Sequence, residues 1–236
     1  MNSSNPQVTI PFFMTPFERK SGLTLMPVHM FLIPAILYLY AYAANLSSIS
    51  ISMVSFHYGI SFSVIFFTMS GFLRRDLDAL LDRSLASILT LLISMPVYLL
   101  FLYAAAFAVL IFVGEADAET MEAASYIAKN NFDTLFAFNV LVLPLVEEVL
   151  YRGVVFGSLI RKSRLLAYTV SIILYIIGNM WMDLVFAFDW TLLPLALQYV
   201  PLGFVCAYCY ECSGTIWTSI IFHTLANAAL VLIQVL

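Results

Sequence analysis

The sequence predicts an all-α protein, a polytopic transmembrane helical bundle of about seven spans forming one integral membrane domain. Hydrophobic residues make up 63% of the 236 positions and charged residues only 10%, with a mean hydropathy of +0.98. A soluble globular chain is nearer half apolar and a quarter charged. The apolar runs are long and continuous, without the period-2 alternation of a membrane β-barrel. Seven spans also place almost every lysine and arginine on one side. The net charge of −4 says little about nucleic-acid partners, and no basic stretch suggests one; the partner to expect is the lipid bilayer.

The N-terminal Met1–Thr24 is polar and proline-containing, and lacks the charged start and early apolar run of a cleaved signal peptide. Apolar runs then predict spans at Met26–Leu46, Ile49–Leu73, Leu85–Val113, Phe132–Ile160, Leu165–Phe188, Leu192–Tyr210 and Thr215–Leu236. Each is near or above the ~20 residues that cross a hydrocarbon core. The longest must tilt, kink or extend beyond the lipid. Tyr38, Tyr40 and Tyr42 in the first span suit an interfacial belt. Glu119 to Lys129, between the third and fourth spans, reads either as a short amphipathic helix or as a solvated loop. With no internal repeat or linker, the division is one of role: 1–131 holds the N-terminal segment and first three spans, and 132–236 the last four.

Basic residues set the expected topology. Arg19 and Lys20 precede the first span, Arg74, Arg75 and Arg83 follow the second, and Arg161, Lys162 and Arg164 follow the fourth. All eight fall on one side, which the positive-inside rule makes cytoplasmic. The opposite side holds only Lys129, in a loop with Glu115, Asp117, Glu119 and Glu122. The N-terminus is therefore expected in the cytoplasm and the C-terminus outside, in what is expected to be the plasma membrane of a prokaryote.

The tenth basic residue, Arg152, lies inside the fourth span, in Leu145-Val-Glu-Glu-Val-Leu-Tyr-Arg-Gly153. An ionisable residue within a membrane costs at least ~2.5–3.5 kcal/mol on insertion scales and marks a functional site by default. Glu148 and Arg152 are four residues apart, so they share a helix face and can pair. Glu147 points roughly 100° away around the helix, and pairing does not account for it.

Other polar residues lie within spans. In Phe222-His-Thr-Leu-Ala-Asn227, His223 and Asn227 stand one turn apart on one face. Alone they read as hydrogen-bonding partners of neighbouring helices, as polar residues in bundles commonly do. Asn179, in Tyr175-Ile-Ile-Gly-Asn179, reads the same way, and Asp183 one turn later suits a position near the far membrane surface. Cys206, Cys209 and Cys212 drift around their helix at i, i+3 and i+6 with no obvious completing ligands, and read as small packing residues.

In combination, the Glu-Glu-x-x-x-Arg of Glu147–Arg152 with Gly153, and the His-x-x-x-Asn of His223–Asn227, resemble the first and last motifs of the CAAX-protease and bacteriocin-processing (CPBP, or Abi) intramembrane proteases. The run Glu211-Cys-Ser-Gly-Thr-Ile-Trp-Thr-Ser-Ile-Ile-Phe-His223 is similar to the family's approach to its last helix. The resemblance covers about Phe132 to Leu236; the first three spans match in hydrophobic character only. There is one departure. The family's middle motif is Phe-x-x-x-His, and here Tyr175-Ile-Ile-Gly-Asn179 puts Asn179 where histidine is expected. Asparagine can orient a water but cannot take up a proton near neutral pH.

The resemblance implies an intramembrane endopeptidase that hydrolyses a peptide bond in a membrane-associated protein or peptide. Its general base would be Glu147, activating a water; Arg152 would hold Glu148 ionised. His223 and Asn227 would donate to the tetrahedral oxyanion, and Asn179 would position the water. No cofactor is expected. Zinc sites favour several His or Cys ligands, and outside the matching region the only other histidines are His29 and His57. Two alternatives stay open: a catalytically impaired relative serving as a membrane scaffold or regulator, and a small transporter with Glu147, Glu148 and Arg152 lining a polar path. Transporters often carry paired broken helices in related repeats, which this sequence does not show.

Overall fold

A computed structural model of the chain describes residues 10, 13–46, 50–114, 126, 129–187 and 190–235. Among these there is no strand, and seven helices are long and apolar enough to cross a membrane. They are α1 (Pro16–Ala43), α2 (Ile51–Asp82), α3 (Ser84–Val113), α4 (Phe132–Leu159), α5 (Arg164–Ala187), α6 (Tyr199–Ser213, entered through a 3-10 segment, Trp190–Gln198) and α7 (Ile216–Val235). The seven-span bundle read from the sequence is the observed architecture. The stretch read as a short helix or a loop, Glu119 to Lys129, falls mostly outside the described residues.

Two span boundaries move. The first helix begins ten residues before Met26, because Thr15 and Glu18 form a capping box, each side chain bonded to the other's backbone N–H. The second runs nine residues past Leu73, through Arg74 and Arg75 to Asp82. Its 32 residues span about 48 Å, well beyond a hydrocarbon core of about 30 Å. What holds the overhang is packing: Ser61, Ile65, Met69, Phe72, Asp76 and Ala79 recur every three or four residues and are all buried.

The end of that overhang fastens to the far end of the sequence. Gly214, at φ +77° in the left-handed region that suits glycine, terminates α6. Buried Asp76 then caps α7: its Oδ2 accepts from Thr215 Oγ1 at 2.7 Å and from Ile216 N at 2.6 Å. Trp217 Nε1 donates to Leu73 O at 2.9 Å. At the same end, Arg75 pairs with Glu18 at 2.6 Å, Arg164 with Glu211 at 2.9 Å, and the Arg161 guanidinium lies 3.6 Å from the centre of the Phe13 ring. The basic clusters of the sequence therefore gather at one end of the bundle.

Two helices carry π-helical turns next to prolines. Val28–Leu32 in α1 precedes Pro34, and Phe136–Val142 in α4 precedes Pro144; a second π segment, Glu148–Phe156, follows in α4. Proline has no N–H to give to the turn before it, and carbonyls of those turns accept from other helices instead. His29 O takes His57 Nε2 at 2.9 Å, Met30 O takes Trp181 Nε1 at 2.7 Å, and Asn139 O takes Asn227 Nδ2 at 2.7 Å. The buried core centres on α4, where every residue from Val146 to Gly157 is buried, while α3 turns Leu85, Leu92, Leu100 and Phe107 outward.

Candidate active site

The two adjacent glutamates of α4 sit in different surroundings, because neighbouring positions on a helix project in different directions. Glu148 faces α6 and α7 and is fully buried. Its Oε1 accepts from Arg152 Nη1 at 3.0 Å and lies 2.8 Å from His223 Nδ1. Its Oε2 accepts from Ser219 Oγ at 2.6 Å. That hydroxyl also stands 2.8 Å from Cys206 O, one hydrogen between two acceptors. Arg152 reaches on to Gly203 O at 2.8 Å and stacks 5.0 Å from the centre of the Tyr175 ring. The expected Glu148–Arg152 pair is formed, and three donors surround the carboxylate. A buried charge is tolerated only when paired and hydrogen-bonded in this way.

Glu147 turns toward α2. Its Oε1 accepts from Tyr58 Oη at 2.9 Å. Its Oε2 has no hydrogen-bond partner among the described residues and stands 3.8 Å from His223 Nε2. Both glutamates are at most 1% exposed, yet Glu147 borders a cavity of about 320 Å³ together with His223, Asn179, Asn227, Gln198 and Tyr175. Four of the six expected site residues thus converge on one space. The other two are not part of its lining: Glu148 bonds His223, and Arg152 bonds Glu148.

The two asparagines are each half committed. Asn179 Nδ2 donates back along its own helix to Tyr175 O at 2.9 Å, and Asn227 Nδ2 donates to the Asn139 carbonyl in the π turn of α4. Each amide has a second hydrogen and a carbonyl oxygen, and both residues line the cavity. Just before Asn179, Gly178 lets α5 come close to α4: a Cβ there would run into the Tyr151 hydroxyl.

Sequence reasoning missed Tyr58 and Ser219. Ser219 had a signal, since it lies four residues before His223 and so shares its face. Tyr58 is 89 positions from Glu147, and no local pattern links them. Cys206 also lies closer to the centre than its spacing implied. Glu148, Cys206 and His223 have potential ligand atoms within 4.8 Å of one another. A cation there would share Glu148 with the Arg152 guanidinium, so this cluster does not suit a metal ion. Cys209 instead contacts Ser94 Oγ at 3.2 Å. The side chain of Asp183 lies outside the described residues.

Residues 130–229 match the family model described as type II CAAX prenyl endopeptidase Rce1-like. The match bears out the CAAX-protease resemblance over that part of the chain. Comparison with curated proteins and with solved structures gives no match.

Proposed function

We propose, from the Rce1-like character of residues 130–229 in a seven-span membrane protein, that this chain is an intramembrane endopeptidase acting through Glu147. That family consists of proteases and implies a bilayer setting with peptide or protein substrates; the assignment of roles is our reading. One observation carries it. Of two adjacent buried glutamates, one is bonded by Arg152, Ser219 and His223, while the other has an oxygen with no hydrogen-bond partner among the described residues, 3.8 Å from His223 Nε2, and belongs with His223 to the lining of one cavity.

The saturated carboxylate, Glu148, orients the imidazole. In the tautomer that donates Nδ1–H to Glu148, Nε2 is an acceptor. Glu147 Oε2 and His223 Nε2 are 3.8 Å apart, a separation that a water admitted from the cavity would bridge by giving a hydrogen to each. Glu147 takes the proton as that water attacks the peptide carbonyl, and later returns it to the leaving amine nitrogen. The second amide hydrogens of Asn227 and Asn179 serve the developing oxyanion, a role worth roughly 3–4 kcal/mol per donor in a water-poor site. This exchanges two roles read from the sequence: His223 positions the water in place of Asn179, and Asn179 joins Asn227 as an oxyanion donor in place of His223. Arg152 holds Glu148 and the Gly203 carbonyl, locking α4 against α6.

The test compares wild type, Asn179→His and Glu147→Gln on one peptide panel in the same detergent. Wild type should cleave, and Glu147→Gln should not. Asn179→His should match or exceed wild type, since a well-placed proton-transfer group contributes ~10²–10⁴-fold. A chelator should leave the wild-type rate unchanged. If neither wild type nor Asn179→His exceeds Glu147→Gln, the protease reading falls and the scaffold reading replaces it.

A further inference from the structure

We propose that Tyr58, on α2 and outside the family-matched residues, is the positioning residue that orients Glu147. The inference rests on the reading of Glu147 as general base and adds a helix to the site. A carboxylate turns about a terminal torsion that is broad and nearly two-fold, so an untethered Glu147 would present either oxygen over a wide arc. The Tyr58 hydroxyl has one hydrogen, and it is given to Glu147 Oε1 at 2.9 Å. With that oxygen held, Oε2 is the one left unbonded, 3.8 Å from His223 Nε2.

The tyrosine ring is itself held. The rings of His29 and His57 lie 5.1 Å and 5.0 Å from it, centre to centre, and 4.4 Å from each other. Both histidines are buried. His29 Nδ1 is 2.8 Å from Ser61 Oγ, and His57 Nε2 donates to the His29 carbonyl of the π turn before Pro34. The two histidines outside the matching region thus pack around the Tyr58 ring, whose single polar atom, the hydroxyl, bonds the Glu147 carboxylate.

Tyr58→Phe keeps the ring and removes the hydroxyl. In detergent-purified full-length protein it should lower kcat ~10-fold or more, the scale of a lost hydrogen bond to a charged group. KM should stay within about twofold, because uniform substrate binding is untouched, and the melting temperature should not fall. A wild-type kcat in Tyr58→Phe overturns the proposal, and so does a loss of kcat that tracks a loss of melting temperature. A second readout does not depend on turnover. An apolar carbodiimide reacts with buried carboxyls, and mass spectrometry can follow its adduct on Glu147. Tyr58→Phe should change the Glu147 labelling rate ~3-fold or more, with labelling of Asp76 unchanged. An unchanged rate overturns the proposal even if the enzyme is active. If wild type cleaves nothing while the labelling rate shifts, the protease reading fails and the orientation of Glu147 by Tyr58 stands.

Discussion

Arg152 carries more of the structure than either glutamate. Its guanidinium joins Glu148, on its own helix, to the Gly203 carbonyl on α6, with no exposure to solvent. Removing one side of a buried pair typically costs ~3–5 kcal/mol, because the remaining charge loses its partner. Arg152→Ala should therefore lower the detergent melting temperature and folded yield well below those of Glu147→Ala. Truncating Glu147 deletes a charge that, among the described residues, has only Tyr58 as a hydrogen-bond donor. Equal melting of the two variants would show that the glutamates do not divide their work as described. This pair was readable in advance because four residues on a helix fix two side chains on one face. The donors from other helices were not. Ser219 is 71 positions from Glu148 and Tyr58 is 89 from Glu147, distances over which only the packed bundle determines who meets whom.

Helices were readable by hydropathy, but their ends were set by features hydropathy does not measure. The second span looked complete at Leu73 because Arg74 and Arg75 follow, whereas the helix continues on a buried stripe that ends in Asp76 and Ala79. A carboxylate inside that stripe is the cap of another helix, α7. Asp76→Ala should destabilise the protein by ~1–2 kcal/mol, the usual cost of losing a cap, measured as a lower midpoint in thermal or denaturant unfolding. Asp76→Asn, which keeps one acceptor oxygen, should recover part of the loss. No change in Asp76→Ala would mean that the α6–α7 turn holds without its cap. The π turns were equally hidden. Prolines at 34 and 144 announce a disturbance, but which carbonyl is released to which partner depends on helices that approach from elsewhere.

At the scale of the whole molecule, the eight basic residues at one end of the bundle propose an orientation. A reporter fused after Arg164 should read cytoplasmic and one inserted near Asp117 external, given a bias of eight to one. The opposite readout at both positions would invert the scheme. The orientation matters for access. On α3, α4 and α7 the cavity wall continues through Leu102, Leu143 and Leu230, each farther from the basic end than the site residues. Water and substrate would then meet Glu147 from the side away from those charges.

The Glu148–Arg152 pair also bears on how such a chain is made. Both residues belong to one helix, so they can neutralise each other as soon as α4 forms, before any later span exists. Ser219 and His223 belong to α7 and can reach Glu148 only after that later helix has been made. Insertion of the ionisable segment and completion of its hydrogen-bonding shell are thus separate events in the life of the polypeptide. The nascent chain holds a compensated but incomplete centre, and His223 arrives with α7.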